Sequence, residues 1–241
     1  GSDLAKQAQN PIANLISLPL QNNTNFGIGP DDETQNILNV QPVWPITLNE
    51  DWNLITRTIL PLVSQPDALT GGNGRINGLG DTTFTGFFSP VDSGKLTWGV
   101  GPVLLFPTAT DDALGSDKWG AGPSVVLLTM PGKWVVGSLF SNVWSFAGSG
   151  DNDINLFTWQ YFVNYNLPNK WYLTSAPIIT ANWEADSDNT WTVPFGGGIG
   201  KIFNIGKQPV NGQVSAYYNL ETPDFGADWQ LRVQLQFLFP K

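Results

Sequence analysis

Two arginines and a series of amides are the residues of this chain best suited to meet a solute. They are Arg57 and Arg232, with Asp81, Gln160, Asn164, Gln213, Tyr217, Gln230, Gln234 and Gln236. Amides donate and accept hydrogen bonds without fixing a charge preference, which suits neutral polar solutes, whereas basic side chains around a passage select anions. Each of these residues also has a plainer role, filling a small interior with hydrogen bonds and ion pairs. Asp81, for instance, could pair with Arg57 across neighbouring strands. A second set is acidic: Asp111-Asp112 and Glu184-x-Asp186-x-Asp188. Carboxylate oxygens are ligands for calcium or magnesium, and the same acids also keep loops solvated. No firm metal site follows from that spacing.

Missing residue types narrow the chemistry further. The 241 residues contain no His and no Cys. Serine–histidine and cysteine–histidine nucleophiles, imidazole-bound zinc, thiolate sites and disulfides are therefore excluded. The glycine-rich pieces Gly71-Gly72-Asn73-Gly74 and Gly196 to Gly200 are not followed by Lys-Ser/Thr, so neither is a phosphate cradle. Lys+Arg 11 against Asp+Glu 20 gives a net charge of −9, and no nucleic-acid partner is expected. No cofactor is implied. A lipid-acting enzyme would have to work with loop carboxylates alone, so the chain reads as a non-enzyme.

The elements that must position these residues follow from hydrophobic periodicity. No stretch approaches the roughly 18 apolar residues of a membrane helix, and no helical stripe persists. Two-residue alternation recurs instead, most plainly where Trp229, Leu231, Val233, Leu235, Phe237 and Phe239 oppose Gln230, Arg232, Gln234 and Gln236. Punctuation by Gly, Pro, Asn and Asp gives about twelve strands, near 14–26, 35–48, 52–63, 78–90, 95–108, 119–130, 133–146, 154–167, 170–183, 189–205, 209–221 and 228–239. Connections alternate between tight turns and longer loops. That pattern predicts an all-β chain: a transmembrane antiparallel up-and-down β-barrel with short periplasmic turns and longer extracellular loops. The apolar half of each strand would face lipid and the polar half the lumen.

Two features not used to place the strands agree with it. Trp44, Trp52, Trp98, Trp134 and Trp171 fall at short-turn ends, while Trp119, Trp144, Trp183, Trp191 and Trp229 fall at long-loop ends. Indole rings favour the headgroup level, so two girdles are expected. Of the 20 acids, all but Asp3, Glu50, Asp51 and Asp92 lie at the long-loop rim, whereas Lys95, Lys133, Lys170, Lys207 and Lys241 lie at the other. A soluble β-sandwich has no reason to sort its charges this way. Against the barrel stand prolines inside the strands, among them Pro19, Pro42, Pro61, Pro102, Pro123, Pro177 and Pro194, each of which removes a ladder donor. The run Gly196-Gly197-Gly198 could also hide a bulge that flips the facing of the residues after it, including Lys201.

Several short strings carry a resemblance. Asn10-Pro11-Ile12-Ala13, Pro19-Leu20-Gln21-Asn22-Asn23, Asn53-Leu54-Ile55-Thr56-Arg57, Gly78-Leu79-Gly80-Asp81, Gly101-Pro102, Phe106-Pro107-Thr108-Ala109-Thr110-Asp111 and Phe237-Leu238-Phe239-Pro240-Lys241 are similar to those of a Gram-negative outer-membrane "transporter" family, often labelled neuromedin U. That family is related to the outer-membrane barrels of the phenol-degradation meta-pathway. The resemblance implies an outer-membrane barrel with a transport role and brings no catalytic residues; its aromatic theme suggests hydrophobic or aromatic cargo. Pro240-Lys241 departs from the final aromatic usual in such barrels.

The expected organisation is an N-terminal segment over residues 1–13 and one barrel domain over 14–241. Gly1-Ser2 reads as a cloning scar, and residues 3–13 as a short periplasmic helix, a lumen plug or a loose tail. The expected function is a bacterial outer-membrane channel or transporter passing small molecules through a narrow, amide-lined lumen. Its partners would be outer-membrane lipid, lipopolysaccharide and a small-molecule solute, with the barrel as a monomer. The alternative is a structural or adhesive barrel with a closed lumen and ligand-binding loops.

Overall fold

The computed structural model describes residues 2–67 and 74–241; Gly71, Gly72 and Asn73 lie outside them. A helix, α1 (Ser2–Gln9), precedes the strands β1 (Ile16–Ile28), β2 (Glu33–Val40), β3 (Val43–Thr47), β4 (Trp52–Pro66), β5 (Arg75–Leu79), β6 (Thr82–Pro90), β7 (Leu96–Phe106) and β8 (Lys118–Thr129). There follow β9 (Trp134–Gly148), β10 (Asn155–Asn166), β11 (Trp171–Ser175), β12 (Ile178–Asn182), β13 (Trp191–Ile205), β14 (Gln208–Glu221) and β15 (Trp229–Phe239). All pairings are antiparallel, and each strand pairs with the next or the next but one along the chain. β15 pairs back onto β1 from Ile16↔Phe239 to Phe26↔Trp229, which closes the sheet. β2 with β3, β5 with β6, and β11 with β12 are interrupted single strands, so the closed wall has twelve staves. Short periplasmic turns and longer extracellular loops alternate around it, in the up-and-down arrangement of an outer-membrane barrel.

Alternation sets the facing. In β14, Val214, Tyr218 and Leu220 are exposed outward while Asn211, Ser215 and Tyr217 are buried inside. Hydrogen-bonded closure matters because lipid offers no partner to a free backbone group. Four of the prolines are accommodated in two ways. Pro42 and Pro177 fall in the gaps that interrupt strands. Pro102 and Pro123 stand opposite each other in the β7–β8 ladder. On their outer sides the β6–β7 and β8–β9 ladders each skip the residues facing them. Gly101 and Gly122, the residues just before, lie against the carbonyls of Gly86 and Asn142, where a Cβ would collide. At this paired site glycine thus lets the strands stay close despite the lost donors, while Pro19 and Pro61 sit in continuous ladders opposite Gln236 and Asn39.

The glycine run in β13 corrects an expectation. No bulge occurs within Gly196–Gly198, which pair continuously with Tyr217, Ala216 and Ser215. The register shift comes earlier, between Val193 and Pro194, because the proline there has no donor to keep the ladder in step. Gly196 and Gly198 instead allow β14 carbonyls to approach closely. Lys201 therefore faces outward, its Nζ 4.8 Å from the Trp171 ring centre.

A second correction concerns the interior, which is not polar throughout. At the short-turn end Ile55, Phe87, Val126, Leu128, Val135 and Phe162 form an apolar cluster inside the barrel, completed by Ile12 from the N-terminal segment. Across the lumen Ala5 of α1 packs on Tyr172 and Ile202. Leu4 and Ala8 meet Ala13, Leu15 and Leu238. Lys6 Nζ donates to the Met130 carbonyl at 3.2 Å, and Gln9 Nε2 to Asn166 Oδ1 at 2.8 Å. Part of the apolar content thus seats residues 4–15 in the lumen, and the strictly amphipathic strand rule fails where there is a segment to bury.

Candidate functional site

Above the seated N-terminal segment the interior turns polar, and two cavities occupy it. The lower one, about 230 Å³, is floored by Gln7 to Pro11 and walled by Gln21, Arg57, Gln160, Asn164, Gln213, Gln234 and Gln236. Val43, Ile59, Leu139 and Phe162 add apolar lining. The upper one, about 330 Å³, lies under the long loops between Asn25, Gln35, Thr192, Asn219 and Gln230. Ile178 and Arg232 line both cavities and so stand between them. Among the described residues no Asp, Glu or Lys lines either one.

Arg232, only 2% exposed, anchors this partition. The interruption between β11 and β12 leaves Ala176 without ladder partners, and lumen side chains replace them. Arg232 Nη1 donates to the Ala176 carbonyl at 2.8 Å, and Gln160 Nε2 at 3.2 Å. The Ala176 N–H donates to the Tyr217 hydroxyl at 3.0 Å. Arg232 lies over the Tyr217 ring, 4.6 Å from its centre. A gap that proline forces into the wall is therefore closed from inside by the residues that divide the lumen.

From Arg232 an amide ladder runs along the β15–β1–β2 wall. Gln21 Nε2 donates to Gln234 Oε1 at 2.8 Å, and Asn23 Nδ2 to Gln21 Oε1 at 3.1 Å. Arg232 Nε donates to Asn23 Oδ1 and Nη2 to Gln230 Oε1, both at 3.3 Å. Gln230 Nε2 continues to Asn25 at 2.8 Å, Asn25 to Gln35 at 3.0 Å and Gln35 to Gln65 at 2.9 Å. Lower down, Tyr172 donates to Asn211 Oδ1 at 2.6 Å and Asn211 to Gln236 at 3.0 Å. Buried amides that bond one another in series hold a polar wall at fixed geometry inside an apolar shell.

The structure brings Arg57, Gln160, Asn164, Gln213, Arg232, Gln234 and Gln236 to the lower cavity and Gln230 to the upper one. Tyr217 sits behind Arg232. Asp81 does not join them. Arg57 aligns with Thr85, not with Asp81, because the β4–β6 pairing starts beyond the Gly80-Asp81 interruption. The Asp81 carboxylate instead accepts from Ser116 N at 2.9 Å, Ser116 Oγ at 3.0 Å and Ala109 N at 3.3 Å. It thereby ties down the loop after β7, helped by Thr108 Oγ1 to the Gly80 carbonyl at 3.0 Å and Thr110 N to the Leu79 carbonyl at 3.1 Å. Asp81→Ala is expected to free that loop at a cost of about 1.5–3 kcal/mol, the range for bonds to a charged group. Hydrogen exchange should rise over residues 107–117 while heat-modifiable gel mobility of the barrel stays intact.

The acidic rim residues serve turns. Asp111 caps a short 3-10 turn through the Ala113 N–H at 2.9 Å, with Asp112 following it, and Asp186 accepts from Asn189 N and Nδ2 at 3.1 and 2.8 Å. Glu184 and Asp188 are exposed. Among the described residues no three acids converge as a metal group would require. Nine of the tryptophans named for girdles, Trp44, Trp52, Trp119, Trp134, Trp144, Trp171, Trp183, Trp191 and Trp229, are exposed at strand ends, and Trp98 is half-buried. Gln21, Asn23, Asn25, Tyr172 and Asn211 escape the sequence reading. β1 is polar on both faces from Gln21 to Asn25, so alternation there does not say which set faces in.

Solved structures share this architecture. The COG4313 outer membrane channel from Pseudomonas putida F1 superposes with a TM-score of 0.68 at 17% identity, covering 93% of this chain and 94% of that one. A calcium-bound outer membrane phospholipase dimer from Salmonella typhi gives 0.52 at 14% identity, covering 99% and 96%. The CymD monoaromatic hydrocarbon channel gives 0.50 at 9% identity, covering 100% and 92%. No curated protein sequence matches. These likenesses are of fold, the closed barrel of the bacterial outer membrane. The family described as the putative MetA-pathway of phenol degradation matches residues 32–241, and the chain belongs to that family.

Proposed function

We propose that this protein is an outer-membrane channel that passes small molecules through its amide-lined lumen. One observation carries the reading: two cavities lie in line along the barrel interior and touch at Ile178 and Arg232. A barrel built only to hold loops has no need of an unfilled interior on both sides of a partition. The exposed tryptophans at both rims would hold the barrel at headgroup level. The apolar lining of the lower cavity suits a compact hydrophobic or aromatic body, a cargo that CymD's description as a monoaromatic hydrocarbon channel also suggests. Likeness to a phospholipase does not alter this reading, because a chain with no histidine lacks the imidazole of serine–histidine hydrolysis.

The test is conductance. Purified, folded protein in a planar bilayer should give small, discrete steps. An electrically silent bilayer, together with liposomes that take up no small solute, would contradict the channel and favour a closed barrel.

A further inference from the structure

The lower cavity carries positive charge that no carboxylate among its described lining residues balances. Among those residues Arg57 and Arg232 line it, and no Asp or Glu does. Arg232 is satisfied by neutral acceptors, the Ala176 carbonyl, Asn23 and Gln230. Arg57 makes no hydrogen bond or ion pair among the described residues, where the ion pair present joins Lys118 and Asp153 at the loop rim. Arg57 is half-buried; a guanidinium partly withdrawn from water and left without a partner gains from a hydrogen-bonding anion, and a carboxylate fits its planar fork with two parallel bonds. Beside Arg57 stand Val43, its cross-strand partner, and Ile59 on the same face of β4, while Leu139 and Phe162 line the cavity from β9 and β10; together they would receive an apolar body.

We propose that the lower cavity is a binding site for a small organic monocarboxylate, its carboxylate on Arg57 and its apolar body against Val43, Ile59, Leu139 and Phe162. Size agrees: an apolar cavity of about 150 Å³ is enough for benzene, and the lower cavity has about 230 Å³. Arg232 supports the site through its field, since its own donors are committed to the wall. The site deepens the channel reading and rests on it for the ligand's route of entry, while affinity itself is an equilibrium property of the folded barrel.

The experiment is calorimetric titration of the intact protein in detergent with benzoate and with benzyl alcohol, which carries the same ring without the charge. Benzoate should bind at least tenfold more tightly. Arg57→Gln should weaken benzoate at least tenfold and leave benzyl alcohol unchanged, with Arg57→Lys recovering part of the loss. Equal affinity for the two probes, or benzoate binding indifferent to Arg57→Gln, overturns the site. The two-probe comparison on the unaltered protein decides the matter even where the variant does not fold. Bilayer conductance of the same preparation separates the two claims. A conducting barrel that ignores benzoate overturns the site and leaves the channel, whereas a silent barrel that binds it supports the site and overturns the channel.

Discussion

Replacing Arg232 by alanine is expected to raise the single-channel conductance several-fold, because it removes the side chain that divides the lumen. The guanidinium and Ile178 are shared by the two cavities, of about 230 and 330 Å³, so its loss merges them into one path. The same change weakens the wall. The Ala176 carbonyl would retain only Gln160, at 3.2 Å, and Tyr217 would lose the cation over its ring. Deleting a buried bond from a charged donor costs about 1.5–3 kcal/mol. The variant should therefore unfold at lower denaturant while still reaching the folded, heat-modifiable form. It should also prefer anions less, since one of the two arginines that line the cavities is gone. Conductance equal to that of the unaltered protein would mean that ions do not pass this residue.

Removing residues 2–12 is the second large effect, with an expected rise in conductance of about an order of magnitude. These residues include the floor of the lower cavity from Gln7 to Pro11, and Ile12, which completes the apolar cluster. Without them the lower cavity opens toward the periplasmic end. The cost falls on stability: Ile12 is 4% exposed and Ala5 3%, and burying one large aliphatic side chain contributes about 1.5–3 kcal/mol. Ile12→Ala alone leaves a void and should cost about 2–5 kcal/mol, part of which the segment avoids by leaving its seat. Bilayer recordings of the shortened protein, beside the full chain, read this directly. Unchanged conductance would show that the segment is not the obstruction at that end.

The barrel was legible in the sequence because lipid enforces what alternation encodes. β15 shows it best: a face of Trp229, Val233, Leu235 and Phe239 exposed outward, with Arg232 and Gln236 buried within. Each expected strand has its counterpart, three of them interrupted, at Pro42, at Gly80-Asp81 and at Pro177. What alternation could not reveal lies where the interior departs from a polar lining. The apolar cluster of Ile55, Phe87 and Leu128 exists to receive Ile12, a long-range pairing with no periodic trace. Asp81 was misplaced for a similar reason. Its partners, Ala109 and Ser116, come from a loop whose fold depends on the β5–β6 interruption. The strings Gly78-Leu79-Gly80-Asp81 and Phe106 to Asp111, recognisable separately, prove to be the two halves of one clasp. Arg57 and Arg232 are identifiable from alternation as inward residues, but that no acid among the described residues lines their cavity emerges only from the assembled walls.

A substitution that narrows the junction without touching the wall tests the channel most directly. Ile178 lines both cavities and contributes no side-chain hydrogen bond, so Ile178→Trp fills the passage while sparing the contacts of Ala176. The measurement is the swelling rate of liposomes holding equal amounts of folded protein, transferred into a small uncharged sugar. The account predicts swelling with the unaltered barrel and a rate at least tenfold lower with Ile178→Trp. Equal rates for the two would contradict it, placing the route elsewhere than through the lumen.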